Sequence, residues 1–361
     1  CRALPGMALG RDLETRHQID VARLAELASP ADPSGPSPPL PRTDSDSLAP
    51  LFALFRGGDL PKGLLPFHWA GERPRTAFEE QLAEGIHYLR DAQGVSRFHF
   101  TIASEAKDRF AAELENARRH LPHDGSELAV AFSEQEGSTH ALALGDDGRP
   151  ARTADGRLLL RPAGHGALLR NLGATGGDIV FMKNIDNLLP ERRHPGIALW
   201  KKLLAGKLLQ VLADDPAPGP WRVCGVVAST GEPGGGPFWV EDPHRGVALQ
   251  IVESAEVDPD DVEQQRQFRS SSHFNPVDLV VGLRDAGGGP WDLDLFVEPA
   301  RALVAEKSEG GRKLRIYERP GLWNGAMAKW NTLFVEVPAW TFAPVKTVSD
   351  LARTEHLARG R

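Results

Sequence analysis

Cysteine, methionine and tyrosine are scarce in this chain: two, three and two among 361 residues. With only Cys1 and Cys224, no disulfide framework is available. The expectation is a reducing compartment, the cytoplasm. No apolar run approaches the roughly 18 residues of a membrane helix. The first residues show no basic stretch followed by an apolar one, so no secretory signal is visible. An excess of positive charge is also missing, since 42 basic against 49 acidic residues give 42 − 49 = −7. Without an overall positive field, nonspecific nucleic-acid binding is disfavoured, although a local basic site is compatible with this balance. The twelve His residues never form His-Glu-x-x-His, which argues against a zinc hydrolase. Ser270-Ser271-Ser272-His273 lacks the Gly-x-Ser-x-Gly frame of a nucleophile elbow.

What is present is a composition ordinary for a globular protein, 41% apolar and 25% charged. The length suits one large α/β domain with additions, or two domains. The first residue is Cys, not Met. A lipoprotein whose mature chain starts at Cys1 is conceivable, and a chain lacking its true N-terminus is the preferred reading. Residues 12–28 carry Ile19, Leu24 and Leu27 among charges, as in a short amphipathic helix. Residues 29–50 are dense in Pro, Ser, Asp and Gly and read as a linker.

From residue 60 onward the pattern alternates. Thr76-Ala77-Phe78-Glu79 predicts a capping box opening a helix with Phe78, Leu82, Ile86 and Leu89 on one face. Residues 97–102, 127–132 and 178–183 read as strands, and 105–120 and 197–213 as helices. Phe110, Leu114 and Ala117 line the first of these two helices. Strands alternating with such helices predict a mostly parallel sheet covered on both faces. Residues 221–340 are richer in Gly, Trp and β-branched residues, predicting more antiparallel strands there.

Several runs have the make-up of binding sites. Gly57-Gly58-Asp59-Leu60-Pro61-Lys62-Gly63 holds a cation between Pro and Gly, where backbone can approach a ligand closely; a surface turn explains the same run. Gln135, just after a strand, could offer donor and acceptor to a base edge, or simply be an exposed polar residue. Gly164-His165-Gly166 opens a short helix whose free amides could meet an anion or a base. Asp178 to Asn187 is a strand delivering polar residues at its C-terminal end, where ligands bind in open parallel sheets. Asp186 is therefore the metal-ligand candidate, of the oxygen-donor kind that suits Mg²⁺; capping of the next segment is the alternative. Asp292 and Asp294 alternate with Leu293 and Leu295 as on a half-exposed strand. Lys346, after Pro344, is a candidate second phosphate cation. The aromatics of 321–327, Trp323 among them, read as core more often than as ligand platform.

In this order the runs resemble the eukaryotic-type UDP-sugar pyrophosphorylases, including UDP-N-acetylglucosamine pyrophosphorylase. A Val252-Glu253-Ser254-Ala255-Glu256 segment takes the place that faces the sugar in that family. A closer resemblance, over roughly residues 60–351, is to an uncharacterised bacterial family, domain-of-unknown-function family 4301. It is carried by the strings at 61–68, 161–168, 183–187, 231–240, 273–278 and 321–327. The resemblance implies an α/β, glycosyltransferase-A-like (Rossmann-like) nucleotidyltransferase fold with a mixed, mostly parallel sheet and a β-rich C-terminal extension. The domain would span 57–351, with 221–351 as its substrate-binding part, 1–56 preceding it and 352–361 as a tail. By the same analogy Lys62 and Lys346 are catalytic phosphate ligands and Asp186 holds Mg²⁺. Gln135, Gly164, His165 and Gly166 bind the base, while Glu253 and Asn275 complete the substrate site. The implied partners are a nucleoside triphosphate, UTP favoured, and a sugar 1-phosphate. Both families begin with a strand and a Gly-rich loop carrying an Arg. Residues 1–56 contain no such loop, since Gly10-Arg11 stands alone. Hence the alternative of a catalytically inactive nucleotide-sugar-binding protein.

Overall fold

The computed structural model describes residues 60–121, 127–214, 217–229, 231, 234–242, 246–309 and 312–357. The helix and linker read in 12–50 and the pair Gly57-Gly58 lie outside them.

Thr76 does cap the first helix, α1 (Ala77–Gly85), by accepting from the Glu79 amide at 3.2 Å. The reciprocal half of the box does not form, because the Glu79 carboxylate pairs with Arg73. Ahead of α1 lies a hairpin of β1 (Pro66–Ala70) and β2 (Arg73–Thr76). Next come β3 (Val95–Thr101), α2 (Lys107–His120) and β4 (Glu127–Ser133), with β3 and β4 parallel. Phe78 and Leu82 of α1 and Phe110, Leu114 and Ala117 of α2 bury their predicted faces in one cluster with Phe98.

The second layer is a four-stranded sheet. Its order is β14 (Asn331–Glu336), β8 (Trp221–Ala228), β11 (His273–Gly282) and β7 (Ile179–Lys183). Alternation along β8 and β11 sends Val223, Val227 and Val280 toward Leu204 and Leu208 of the long helix α4 (His194–Asp214). Their neighbours Cys224, Leu279 and Val281 join the opposite cluster with Leu169, Ile251, Met327 and Trp330. Leu169 and Leu172 belong to α3 (Leu169–Ala174). A further antiparallel sheet has the order β12 (Leu303–Glu309), β13 (Arg312–Glu318), β5 (Ala141–Gly145) and β6 (Leu160–Arg161). β9 (Gly235–Asp242) and β10 (Gly246–Glu253) form a hairpin, followed by α5 (Val262–Arg269).

The fold is thus mixed α/β, but the sheets are not mostly parallel. Among the described residues only β3–β4 and β8–β14 pair in parallel, and the other strand pairs are antiparallel. The reason is topological. β11 inserts between β7 and β8 and runs against both, although α4 separates those two in sequence as a parallel crossover would. The antiparallel character expected of 221–340 is present in β9–β10 and β12–β13. Leu293–Phe296 is a 3₁₀ turn, not the strand expected there, because Asp292 caps it by accepting from the Asp294 amide. No described helix is long and apolar enough to cross a membrane.

Candidate functional site

β7 ends at Lys183 and the chain turns through Asn184 to Asn187. The segment 343–346 docks along this turn. The Ala343 amide donates to Asn187 Oδ1 at 3.1 Å, and the Val345 amide donates to the Asp186 carbonyl at 2.9 Å. That docking brings Lys346 Nζ to 2.6 Å from Asp186 Oδ2. Lys62 arrives from the other end of the chain, on a 3₁₀ turn Lys62–Leu64. Its Nζ lies 3.7 Å from the same oxygen and donates to the Val345 carbonyl at 3.0 Å. The Asp186 side chain is 11% exposed, against 36% for Lys62 and 59% for Lys346. The three residues chosen from separate motifs therefore meet at one carboxylate oxygen. Asp350 braces the segment beyond, accepting from the amides of Lys346 and Thr347 at 2.8 and 2.7 Å.

A second group forms around the Gly-His-Gly turn, which opens a 3₁₀ turn continuing into α3. Gly164 has φ +73°, a left-handed conformation natural to glycine. Gly166 packs against the Pro320 carbonyl so closely that no side chain fits. His165 Nδ1 accepts from the Leu322 amide at 2.9 Å, and its ring stacks on Trp323 with centroids 4.1 Å apart. Its Nε2 lies 3.8 Å from Glu253 Oε2, while the Trp323 indole donates to Glu253 Oε1. Burial alone would raise the Glu253 pKa, but the contacts with His165 and Trp323 outweigh it and hold the carboxyl below its ordinary value. Trp323 therefore clasps His165 and Glu253 together. Its flanking glycines, Gly321 and Gly325, were the signal that could have found it. A Cβ at Gly321 would lie 2.7 Å from the His165 ring.

Gln135 and Asn275 join neither group by a hydrogen bond or ion pair among the described residues. Gln135 donates to Thr139 Oγ1 at 3.1 Å. Asn275 is 3% exposed on β11, and its carboxamide oxygen has no hydrogen-bond partner among the described residues. The strand pairing shifts between Phe274 and Asp278, and Val277 takes φ +55°. Asn171, which sequence reasoning missed, sits on α3 and donates to Ser133 Oγ at 2.8 Å and the Glu134 carbonyl at 2.9 Å. It ties the strand end that precedes Gln135 to the helix opened by Gly-His-Gly. Two buried lysines also escaped notice as a pair. Lys183 contacts both oxygens of Glu84 at 2.6 Å, and Lys201 pairs with Asp278. Burial pushes the Lys183 pKa down.

A family model described as "Domain of unknown function (DUF4301)" matches residues 54–215 and 217–357. The chain belongs to this family. No curated protein matches the sequence. Among solved structures, the DUF4301 chain is similar to a variant of UDP-glucose pyrophosphorylase from Leishmania major in complex with UDP-glucose. The identity is 17%, 80% of this chain and 60% of that one are covered, and the TM-score is 0.45. A second variant of that enzyme, also with UDP-glucose, matches at 18% identity over 82% of this chain and 62% of its own, with a TM-score of 0.49. A protein assigned as UDP-N-acetylglucosamine pyrophosphorylase from Entamoeba histolytica matches at 12% identity, covering 80% and 72%, with a TM-score of 0.49. The DUF4301 chain thus spans about 60% of the length of the Leishmania enzyme.

Among the described residues of the DUF4301 chain, no three His, Cys, Asp or Glu side chains gather as a metal cage. A structural zinc site takes four protein ligands. Mg²⁺ is different, because it is commonly bound by one or two carboxylates and takes its other oxygens from phosphates and water. Asp186, a nearly buried carboxylate beside two lysine ammoniums, is an oxygen donor of that kind.

Proposed function

We propose that this protein is a nucleotidyltransferase of glycosyltransferase-A-like fold that makes or cleaves a nucleotide sugar, with residues 57–351 as the catalytic domain. One observation carries the reading: Lys62 and Lys346, from opposite ends of that domain, converge on Asp186. In the forward direction an oxygen of a sugar 1-phosphate attacks the α-phosphorus of the nucleoside triphosphate, UTP favoured. The bond to the bridging oxygen breaks, and pyrophosphate leaves with its electron pair. Such chemistry needs alignment and charge neutralisation more than covalent catalysis. Lys62 and Lys346 supply two positive charges for the phosphates. Asp186 would hold Mg²⁺, which when bound neutralises further phosphate charge. The backbone of Gly164 to Gly166 and Gln135 would receive the base. Glu253, kept ionised and oriented by His165 and Trp323, would accept from sugar hydroxyls, and Asn275 would be a further substrate ligand.

The test is pyrophosphate release from UTP with a panel of sugar 1-phosphates, with Mg²⁺ or with excess EDTA. We expect Mg²⁺-dependent release, and Lys62→Met to lower kcat/KM by about 10²-fold, the scale of removing one preorganised charge-stabilising group. Absence of release with every sugar phosphate defeats the enzymatic reading. Thermal stabilisation by UTP without release would instead support the binding-protein alternative.

A further inference from the structure

Lys62 and Lys346, the two cations assigned to phosphate, already share an anion. Asp186 Oδ2 receives the Lys346 ammonium at 2.6 Å and lies 3.7 Å from that of Lys62. The first distance is that of a charge-assisted hydrogen bond, so the carboxylate sits where a phosphate oxygen would contact Lys346. The partners differ in freedom. Asp186 is nearly buried, and its backbone is held by the Val345 amide. Lys346 and Lys62 are largely and partly exposed on flexible stems. Any exchange of partners therefore moves the lysines and leaves the carboxylate in place.

We propose that Asp186 is a built-in competitor of polyphosphate, occupying Lys346 and Lys62 until a phosphate group takes them over. The exchange leaves the carboxylate without its cations at the moment a hard cation arrives with the phosphates. Cation and polyphosphate then favour each other reciprocally, as linkage requires. The inference rests on Lys62 and Lys346 being phosphate ligands, the reading given under Proposed function.

It makes an unusual prediction, since replacing a residue of the site should tighten binding. The probe is inorganic pyrophosphate in EDTA, titrated calorimetrically into the wild type, Asp186→Asn and Asp186→Asn/Lys346→Met. The Lys346 end of the pair is 59% exposed and so screened by solvent, and Asp186→Asn should gain about twofold to tenfold in metal-free affinity. The gain should shrink when Lys346 is also replaced. Unchanged or weaker metal-free affinity in a folded Asp186→Asn protein, with the wild type still binding, overturns the inference alone. If Asp186→Asn fails to give a cooperative melt, Asp186→Ser takes its place with the same expected sign. If the wild type binds neither pyrophosphate nor UTP, with or without Mg²⁺, this inference and the proposed function fall together.

Discussion

A Cβ added to Gly166 would lie 1.9 Å from the Pro320 carbonyl oxygen, a backbone atom that no rotamer change can move aside. Gly166→Ala should therefore destabilise the protein by about 1–3 kcal/mol, the usual range for overpacking, as read from its melting temperature. The same substitution should loosen the grip of residues 320–323 on His165. At this scale the sequence was most informative where side-chain chemistry and backbone constraint coincide. Lys62 lies between Pro61 and Gly63, and Lys346 follows Pro344 by two positions. Both could be singled out before their meeting at Asp186 was visible. Asn171 could not, and Trp323 only through the glycines on either side of it. A half-buried Trp looks alike in sequence whether it fills a core or clasps a histidine. An Asn that bridges a strand end to a helix carries no local signature.

Elements were legible as far as their own residues determine them. Thr76 at the start of α1 and the apolar face of α2 needed only local geometry. Strand partners needed more, because the insertion of β11 between β7 and β8 is a long-range outcome that no window of residues contains. Asp292-Leu293-Asp294-Leu295 shows the opposite failure. Its alternation imitates a strand, but an Asp able to cap its own second neighbour favours a turn. The stretch after Val345 has its own titration behaviour. His356 is buried against His68, Nδ1 to Nε2 at 2.8 Å, and His68 faces Glu80 at 3.3 Å. Burial, with the charge of His68, pushes the His356 pKa from 6.5 down to about 4. Below pH 6.5 the unfolded chain takes up a proton that the folded chain refuses until about pH 4. Stability from this group is therefore present at neutral pH and lost as the pH falls through that window, by about 3 kcal/mol in all. Melting temperatures from pH 7 to pH 5 should decline in the wild type and decline less in His356→Gln.

For the molecule as a whole, the decisive fact is that its candidate phosphate site is assembled from residues near both ends of the domain. The α/β class and the order of the motifs could be read along the sequence. That Lys62 would touch the backbone at Val345 could not, since it depends on how every layer between them stacks. Val345 is held on two sides, its amide donating to the Asp186 carbonyl and its carbonyl accepting from Lys62. If Lys62 turns to a phosphate, that carbonyl must find water, and the segment behind it loses one of its fastenings. Occupancy of the site would then register as hydration of a peptide group far along the chain. Deuterium uptake by the amides of residues 343–347 should rise when pyrophosphate binds, a readout of filling that needs neither turnover nor a label on the ligand.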